Sequence, residues 1–383
     1  MSKKCGNVVG SREPLVVTPT EVRAAASYRP IFILASQKED MNSTAVPYTK
    51  RIPLGCVPPI SQGTLDETSS EAYRWLVFIA VISIITCPFT AVMNALVTLA
   101  VKTIHRLKTK TNTALACLST TDLAMGVIGQ PAFIFWVIAQ MQGSTSATYC
   151  IRTLLSTILL RVLGFASLSH LAMINVERFI AIKHPLSYET IVTKNRLVCL
   201  SALLWVMVIS LTVPFPFVDN NEIFFIADIN VISLCLATVF FCQVVLFYET
   251  RRHEKQIATQ QVSLEAREKF LKEKKAFKVT ATVLFFLILC FLPLMFAYLI
   301  RASNSITTSV DLKYIALSTG LTSAVLNSMV NPIIYCVRIR QFRVAFIQLI
   351  FQKSSAGAEN MEKRVFGRRN RVVVPHQEGS QEQ

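Results

Sequence analysis

Charge is what this chain has least of. Of its 383 residues only 16% are Asp, Glu, Lys or Arg, against 52% hydrophobic, and the mean hydropathy is +0.47. A water-soluble domain of this length carries more charge and spreads its apolar residues in periodic stripes. The ten cysteines contain no Cys-x-x-Cys pair, and no Cys/His cluster has metal-ligand spacing, so no zinc site is implied. No internal repeat is visible. No constellation of nucleophile, base and acid appears either, which argues against an enzyme. Lys3 and Lys4 are not followed by an apolar core. No cleavable signal peptide is therefore expected, and the first apolar run is expected to act as its own signal.

What is present is apolar sequence in long blocks. Seven of them lie near 74–101, 112–140, 150–181, 196–217, 224–249, 277–300 and 312–337. A hydrocarbon layer about 30 Å thick takes roughly 20 helical residues to cross. Backbone groups in lipid must be satisfied within the segment, so these blocks are predicted to be helices. The predicted fold is an all-α membrane protein, a seven-helix transmembrane bundle. Its expected parts are an irregular extracellular tail over 1–72, a seven-helix transmembrane bundle over 73–338, an amphipathic surface helix over 339–352 and a disordered cytoplasmic tail over 353–383.

Lys and Arg crowd the segments after the first, third, fifth and seventh blocks. Those after the second, fourth and sixth hold only Arg152, Arg301 and Lys313. Cytoplasmic loops are the basic ones, which puts the N-terminus outside and the C-terminus inside. The net charge of +16 is thus mainly a topology signal. It fits contact with anionic membrane lipid or an acidic partner and calls for no nucleic acid. Asn42-Ser43-Thr44 is a glycosylation sequon on the expected outer side.

The polar residues inside the blocks carry the functional information. Asp122 sits in mid-block, where a carboxylate is costly unless paired or protonated and marks function by default. Asn94, Ser167, Asn327, Ser328 and Asn331 lie at matching depth. Asn327 and Asn331 are four apart and share a helix face. One carboxylate with several neutral oxygens suits a small cation such as Na⁺; a protonated Asp in a structural network is the competing reading. At the inner end of the third block stand Glu177-Arg178-Phe179, followed by Pro185-Leu186, an apolar knob for a partner. A pair from Arg178 to Glu273 would clamp the third and sixth helices; Glu273 as a solvated charge is the alternative. Pro293 bends the sixth helix, with Phe291 as a candidate packing toggle. Pro332 leaves a carbonyl of the seventh helix without its amide partner, and Asn331 can fill the gap. Arg161, two turns inside the third block, needs a buried partner. That partner is either an acidic ligand or one of Asp219, Glu222 and Asp228.

Taken in order, Asn94; Leu118 with Asp122; Glu177-Arg178-Phe179; Trp205; Tyr248; Cys290-Phe291-Leu292-Pro293; and Asn331-Pro332-Ile333-Ile334-Tyr335 resemble the rhodopsin-like (class A) G-protein-coupled receptors over about residues 74–351. The amphipathic stretch from Arg340 to Ile350 resembles that family's eighth helix. The resemblance implies a multi-pass plasma-membrane receptor that transmits an extracellular ligand to a heterotrimeric G protein when helix six swings outward. It implies a sodium pocket at Asp122, Ser167, Asn327, Ser328 and Asn331. It also implies that Arg178 meets the G protein, with Tyr248 and Tyr335 stabilising that state.

Departures from the family narrow the ligand. Leu160 stands where amine receptors carry an aspartate, and Val325 where opsins carry the retinal lysine. The second outer loop, roughly 215–228, has no cysteine, so Cys150 pairs with Cys56 or stays free. The fifth helix has Phe240 in place of its usual proline, and Phe291 replaces a tryptophan. These features look like the melanocortin, cannabinoid, lysophospholipid and adenosine receptor group. Leu160, Arg161 and Phe291 are the ligand-pocket candidates. Two rival readings remain at this point: a seven-helix transporter, and a receptor-like scavenger or dimer partner that does not signal.

Overall fold

The computed structural model describes residues 70–142, 147–214, 221–259, 264–302 and 310–367. Among the described residues there is no strand. Seven helices are long and apolar enough to cross a membrane. The chain runs through α1 (Ser70–Thr103), a 3₁₀ turn (His105–Leu107), α2 (Lys110–Ala124), a π-turn (Met125–Gly129) and α3 (Gln130–Gln142). It continues through α4 (Ala147–Lys183), the short α5 (Tyr188–Ile191), α6 (Lys194–Thr212), α7 (Asn221–Thr259), α8 (Leu264–Ala302) and α9 (Val310–Arg338). Two shorter helices close it, α10 (Arg340–Ile350) and α11 (Ser355–Phe366). Asn42, Cys56 and the side chain of Cys150 lie outside the described residues.

The bundle buries many polar groups beside its apolar cluster and turns large apolar side chains outward, which a soluble protein would not do. Asn94, Ser119, Asp122, Gln130, Ser167, His170, Asn175, Asn331 and their neighbours are buried. Phe78, Ile85, Phe89, Leu203, Phe285, Leu292 and Phe296 are exposed. Lipid accepts those apolar faces at no cost, while buried amides and hydroxyls bond one another across helices. Thr109 caps α2 by accepting from the Asn112 amide, and Thr193 caps α6 by accepting from the Arg196 amide. Each satisfies a first-turn amide that the helix itself cannot.

Small residues let the spans touch. A Cβ on Gly126, inside the π-turn, would lie 2.7 Å from the backbone nitrogen of Ala91 in α1. A Cβ on Gly320 in α9 would lie 2.6 Å from the Cα of Leu294, beside the Pro293 carbonyl. So α8 and α9 pack backbone to backbone at the proline bend, where a larger residue would force them apart. The apolar pattern of the second span predicts one regular helix. Instead the span carries the π-turn, starting directly after Ala124. A single π-turn adds a residue to the helical path and re-aims the helix beyond it.

Two expectations of the outline change. The second outer loop does not reach 228, because α7 begins at Asn221 and Asp228 lies two turns inside it. The tail beyond 353 is not irregular throughout, since α11 forms there. Ser354 caps it by accepting from the Gly357 amide.

Candidate functional site

Asp122 is fully buried in α2 and joins three helices. Its Oδ1 accepts from the hydroxyls of Ser167 (α4) and Ser328 (α9), each at 2.7 Å, and its Oδ2 from the Asn331 amide (α9) at 2.9 Å. Charge-assisted bonds of this kind are about twice as strong as neutral ones, and three of them offset much of the carboxylate's desolvation. Ser328 and Asn331 are three residues apart, which puts both on one face of α9. Asn327 is buried on the same helix but is not one of the described donors to Asp122. Asn94 in α1 donates to the backbone carbonyls of Ser328 at 3.0 Å and Thr90 at 2.9 Å. Its own Oδ1, the Ser119 hydroxyl and the Tyr335 hydroxyl are buried with no partner among the described residues.

The mouth of the bundle at the C-terminal end of α4, expected to face inward, is built around a second carboxylate. Glu177 is buried in α4, and the Arg178 guanidinium folds onto it with Nε and Nη2 each 2.5 Å from its oxygens. Thr111 of α2 donates to Glu177 at 3.2 Å and accepts from Arg178. Tyr188 of α5 donates its phenol to Glu177 at 2.5 Å. Burial, followed by that carboxylate, pushes the Tyr188 phenol well above its ordinary value, so it stays a donor. Sequence reasoning does not reach Tyr188. It lies ten residues past Arg178 in a four-residue helix that no apolar periodicity announces. Glu273, the expected partner of Arg178, has a side chain outside the described residues. Leu186 projects into solvent at 95% exposure.

Of the remaining switch residues, Tyr335 is buried and its ring lies 6.0 Å from Phe342 of α10. Phe179 lies 6.4 Å from Phe241. Phe291 is buried in the central apolar cluster, two residues before Pro293. Tyr248 is 68% exposed and stacks edge-on against Phe247. The inward face of α7 is set by Gln243, whose amide donates to Asn175 Oδ1 at 2.6 Å. Five residues further on, the helix has turned about 140° from that face.

Toward the N-terminal end of α4, Arg161 bonds Asp228 of α7 through Nη2 at 2.6 Å and Nε at 3.1 Å, and the Tyr298 hydroxyl of α8 donates to the same oxygen at 3.2 Å. Of the two partners the sequence left open, an internal carboxylate is in place. Leu160 packs instead between the Trp136 and Met125 clusters. Among the described residues no group of three His, Cys, Asp or Glu side chains could hold a transition metal.

Compared with known proteins, residues 93–335 match the family model described as 7 transmembrane receptor (rhodopsin family). The chain belongs to that family. Similar relatives include the histamine H2 receptor of Rattus norvegicus, 26% identical over 316 residues covering 76% of this chain and 84% of the relative. The histamine H2 receptor of Cavia porcellus is 27% identical over 75% of this chain and 83% of that one. The adenosine receptor A2a of Homo sapiens is 28% identical over 74% of both. The protein is therefore a class A G-protein-coupled receptor, a multi-pass plasma-membrane protein and not an enzyme.

The receptor's tail helix reaches the end of its seventh span through one arginine. Arg343 of α10 donates to the last carbonyls of α9, Val337 at 2.9 Å and Cys336 at 3.2 Å, and to Glu362 of α11 at 2.8 Å. Arg340 donates to Glu362 as well, at 2.8 Å. Burial pushes the Glu362 carboxyl up, but the hydrogen bonds and charges of the two arginines outweigh it and hold the group below its ordinary value. Arg106 of the first inner turn pairs with Glu359.

Proposed function

We propose that the receptor, with its N-terminus outside and its C-terminus inside, passes the binding of an extracellular ligand to a heterotrimeric G protein by outward movement of α8, its sixth span. The observation that carries this is the inner mouth. Arg178 is half-buried and folded onto Glu177, and it also bonds the neutral hydroxyls of Thr111 and Tyr188 on two other elements. Neutral hydroxyl bonds of this kind can be exchanged for a partner's carbonyls at a modest net cost. Leu186 and the edge of Phe179 then supply apolar contact for the same partner. Pro293, packed against Gly320, supplies the bend about which α8 turns.

The oxygen set at Asp122 suits a small hard cation. Rotation of the Ser167 and Ser328 hydroxyls would turn their oxygens inward, with Asn327 and Asn331 at hand. Sodium held there would join α2, α4 and α9 and favour the resting packing, because a ligand shifts only the equilibrium between states it binds differently.

The relatives are named for histamine and adenosine. A protonated amine needs a carboxylate in the outer half. Position 160 is leucine, and the Asp228 carboxylate is engaged by Arg161. The reading therefore favours a ligand that is not held by an amine–carboxylate pair.

The test is nucleotide exchange on purified G protein with the receptor in lipid nanodiscs, basal and with a panel of peptides, lysolipids, nucleosides and amines. Stimulated exchange by one ligand class is expected. Absence of basal and stimulated exchange for every G-protein class, with intact surface expression, would favour a non-signalling receptor-like protein.

A further inference from the structure

A cavity of about 550 Å³ lies where the end of the first span meets the corner between α10 and α11. His105 and Arg106 of the 3₁₀ turn line one wall, and Gln348, Gln352, Lys353 and Ser355 line the other. We propose that this cleft binds the phosphorylated headgroup of an anionic phospholipid, with phosphate oxygens on Arg106 and Lys353. The site goes beyond the signalling reading and takes one thing from it, that this end of the bundle faces the inner leaflet, where anionic lipid is concentrated.

The lining suits an anion. It holds no Asp or Glu, and each of its polar side chains can donate a hydrogen bond. The nearest described carboxylate, Glu359 of α11, takes one bond from Arg106 through Nη1, and the Arg106 side chain keeps 73% of its surface exposed. A guanidinium has five N–H donors, so it can hold Glu359 and a phosphate together. Lys353 is exposed as well. Two cationic side chains with hydroxyl and amide donors between them match a group of high charge and several oxygens. A phosphate monoester carries a charge of about −1.5 to −2 and three acceptor oxygens. The cleft also has the size of a ligand site, roughly 300–1,000 Å³.

Its surroundings suit a lipid rather than a free phosphate. The cleft begins at Thr103, the last residue of α1, at the depth where a span leaves the hydrocarbon. Leu99, one turn further into that span, is exposed, and so are Ile350 and Phe351, which lie between Leu349 and Gln352 in the chain. A phosphorylated lipid can place its charge in the cleft and its acyl chains on those faces, which a soluble phosphate cannot use. The walls are also set in advance. The Arg106–Glu359 pair ties the 3₁₀ turn to α11, and Arg343 ties α10 to the end of α9. Gln352 turns the chain between α10 and α11 at a φ of 49°, the left-handed region that few residues with a side chain adopt. Walls already in place spare a ligand the cost of ordering them.

The experiment uses the full-length receptor in phosphatidylcholine nanodiscs doped with one test lipid at a time, and native mass spectrometry counts the lipid that stays bound. Both faces of a nanodisc present the same lipid, so the result depends neither on the receptor's orientation nor on a G protein. Phosphatidylinositol bisphosphate and phosphatidate are expected to be retained about tenfold or more over phosphatidylserine. Inositol trisphosphate and inorganic phosphate should displace them only in about tenfold or greater excess. Displacement at equal concentration would give the cleft to a soluble phosphate and overturn the lipid. Lys353→Gln should lower retention about fivefold, and Lys353→Gln with Arg106→Gln about twentyfold or more. Loss of Arg106 also releases Glu359, so Lys353→Arg is the conservative partner and should keep binding. Lys363→Gln with Arg364→Gln removes two charges from α11 outside the cleft and should change retention by less than about twofold. Equal retention of phosphatidylserine, indifference to positions 106 and 353, or as large a loss from the α11 pair as from the cleft pair each overturns the proposal. Lipid held in the cleft of a receptor that fails to drive exchange would instead count against the signalling reading alone.

Discussion

Arg161 and Arg178 stand on the same helix, seventeen residues apart, which is about 25 Å along α4. Each guanidinium is 15% exposed and each faces a carboxylate that is more buried still. The difference lies in where the carboxylate comes from. Arg161 takes Asp228 from another span, so its charge pair is itself the bond between helices. Arg178 takes Glu177 from the adjacent position, so its charge is balanced before any helix is tied. Its described links outward run to Thr111 and Tyr188, which carry no charge. A pair that crosses helices acts as a strut, since parting it strands two buried ions. A pair that travels on one helix lets its outward donors change partner. One helix thus carries a charge pair that crosses to another span and, seventeen residues on, one that stays between neighbours.

The sharpest way to break this comparison is to remove each arginine. Arg178→Ala is expected to abolish nucleotide exchange while surface expression survives. Full exchange by that variant would remove the role given to the inner pair. At the outer pair the expected loss is in stability. Asp228→Ala should cost about 3–5 kcal/mol by removing the carboxylate that Arg161 and Tyr298 both bond, whereas replacing Arg161 and Asp228 together with apolar residues should cost far less. A denaturation series in nanodiscs reads both. Equal losses in the single and double variants would show that the pair is not the strut described.

A middle-sized effect belongs to Asp122, which lies between the two pairs. Asp122→Asn should remove any dependence of agonist binding on sodium, checked by titrating Na⁺ against a large organic cation. Sodium dependence that persists in the variant rules out the carboxylate cage as its source. Smaller still, Tyr188→Phe deletes one hydrogen bond to Glu177, worth about 1–3 kcal/mol for a charged acceptor. Basal exchange should rise severalfold. No change in basal activity would mean that Tyr188 does not restrain Arg178.

The smallest effect concerns the tail. The folded Glu362 carboxyl is held below its unfolded value, so its contribution is present above the unfolded value and is lost as pH falls through the folded one. Amide exchange in 355–366 should therefore quicken as pH drops below about 4, after correction for intrinsic rates. Glu362→Gln should quicken it at neutral pH by an amount worth about 1 kcal/mol. Protection that ignores both would detach α11 from Arg340 and Arg343.

Much of this is readable in the chain because lipid allows few answers. A run of apolar residues long enough to span must be a helix, and a carboxylate in such a run must find donors. The i,i+3 spacing of Ser328 and Asn331 already puts two of them on one face. The outer carboxylate is harder. Asp228 falls where the expected loop (to 228) and the fifth block (from 224) overlap, because polar residues and the absence of a clear cap blur the start of α7. Tyr188 and Glu362 are not legible at all. Both sit in short helices whose stability comes from docking, and local sequence is silent about contacts made across the fold. The exposure of Tyr248 is not legible for a related reason: it is placed by the rotation of α7, which Gln243 and Asn175 set through one contact between helices.

By itself the amino-acid order determined the number of spans and which buried polar groups would need partners. Those follow from the cost of unbonded backbone and bare charge in hydrocarbon, and that cost is local to each segment. Which partner each group took was decided only by packing. Asp228 rather than a ligand faces Arg161, and Thr111 and Tyr188 close over Glu177, because helix rotation and glycine-permitted approach select among partners that spacing along the chain does not rank.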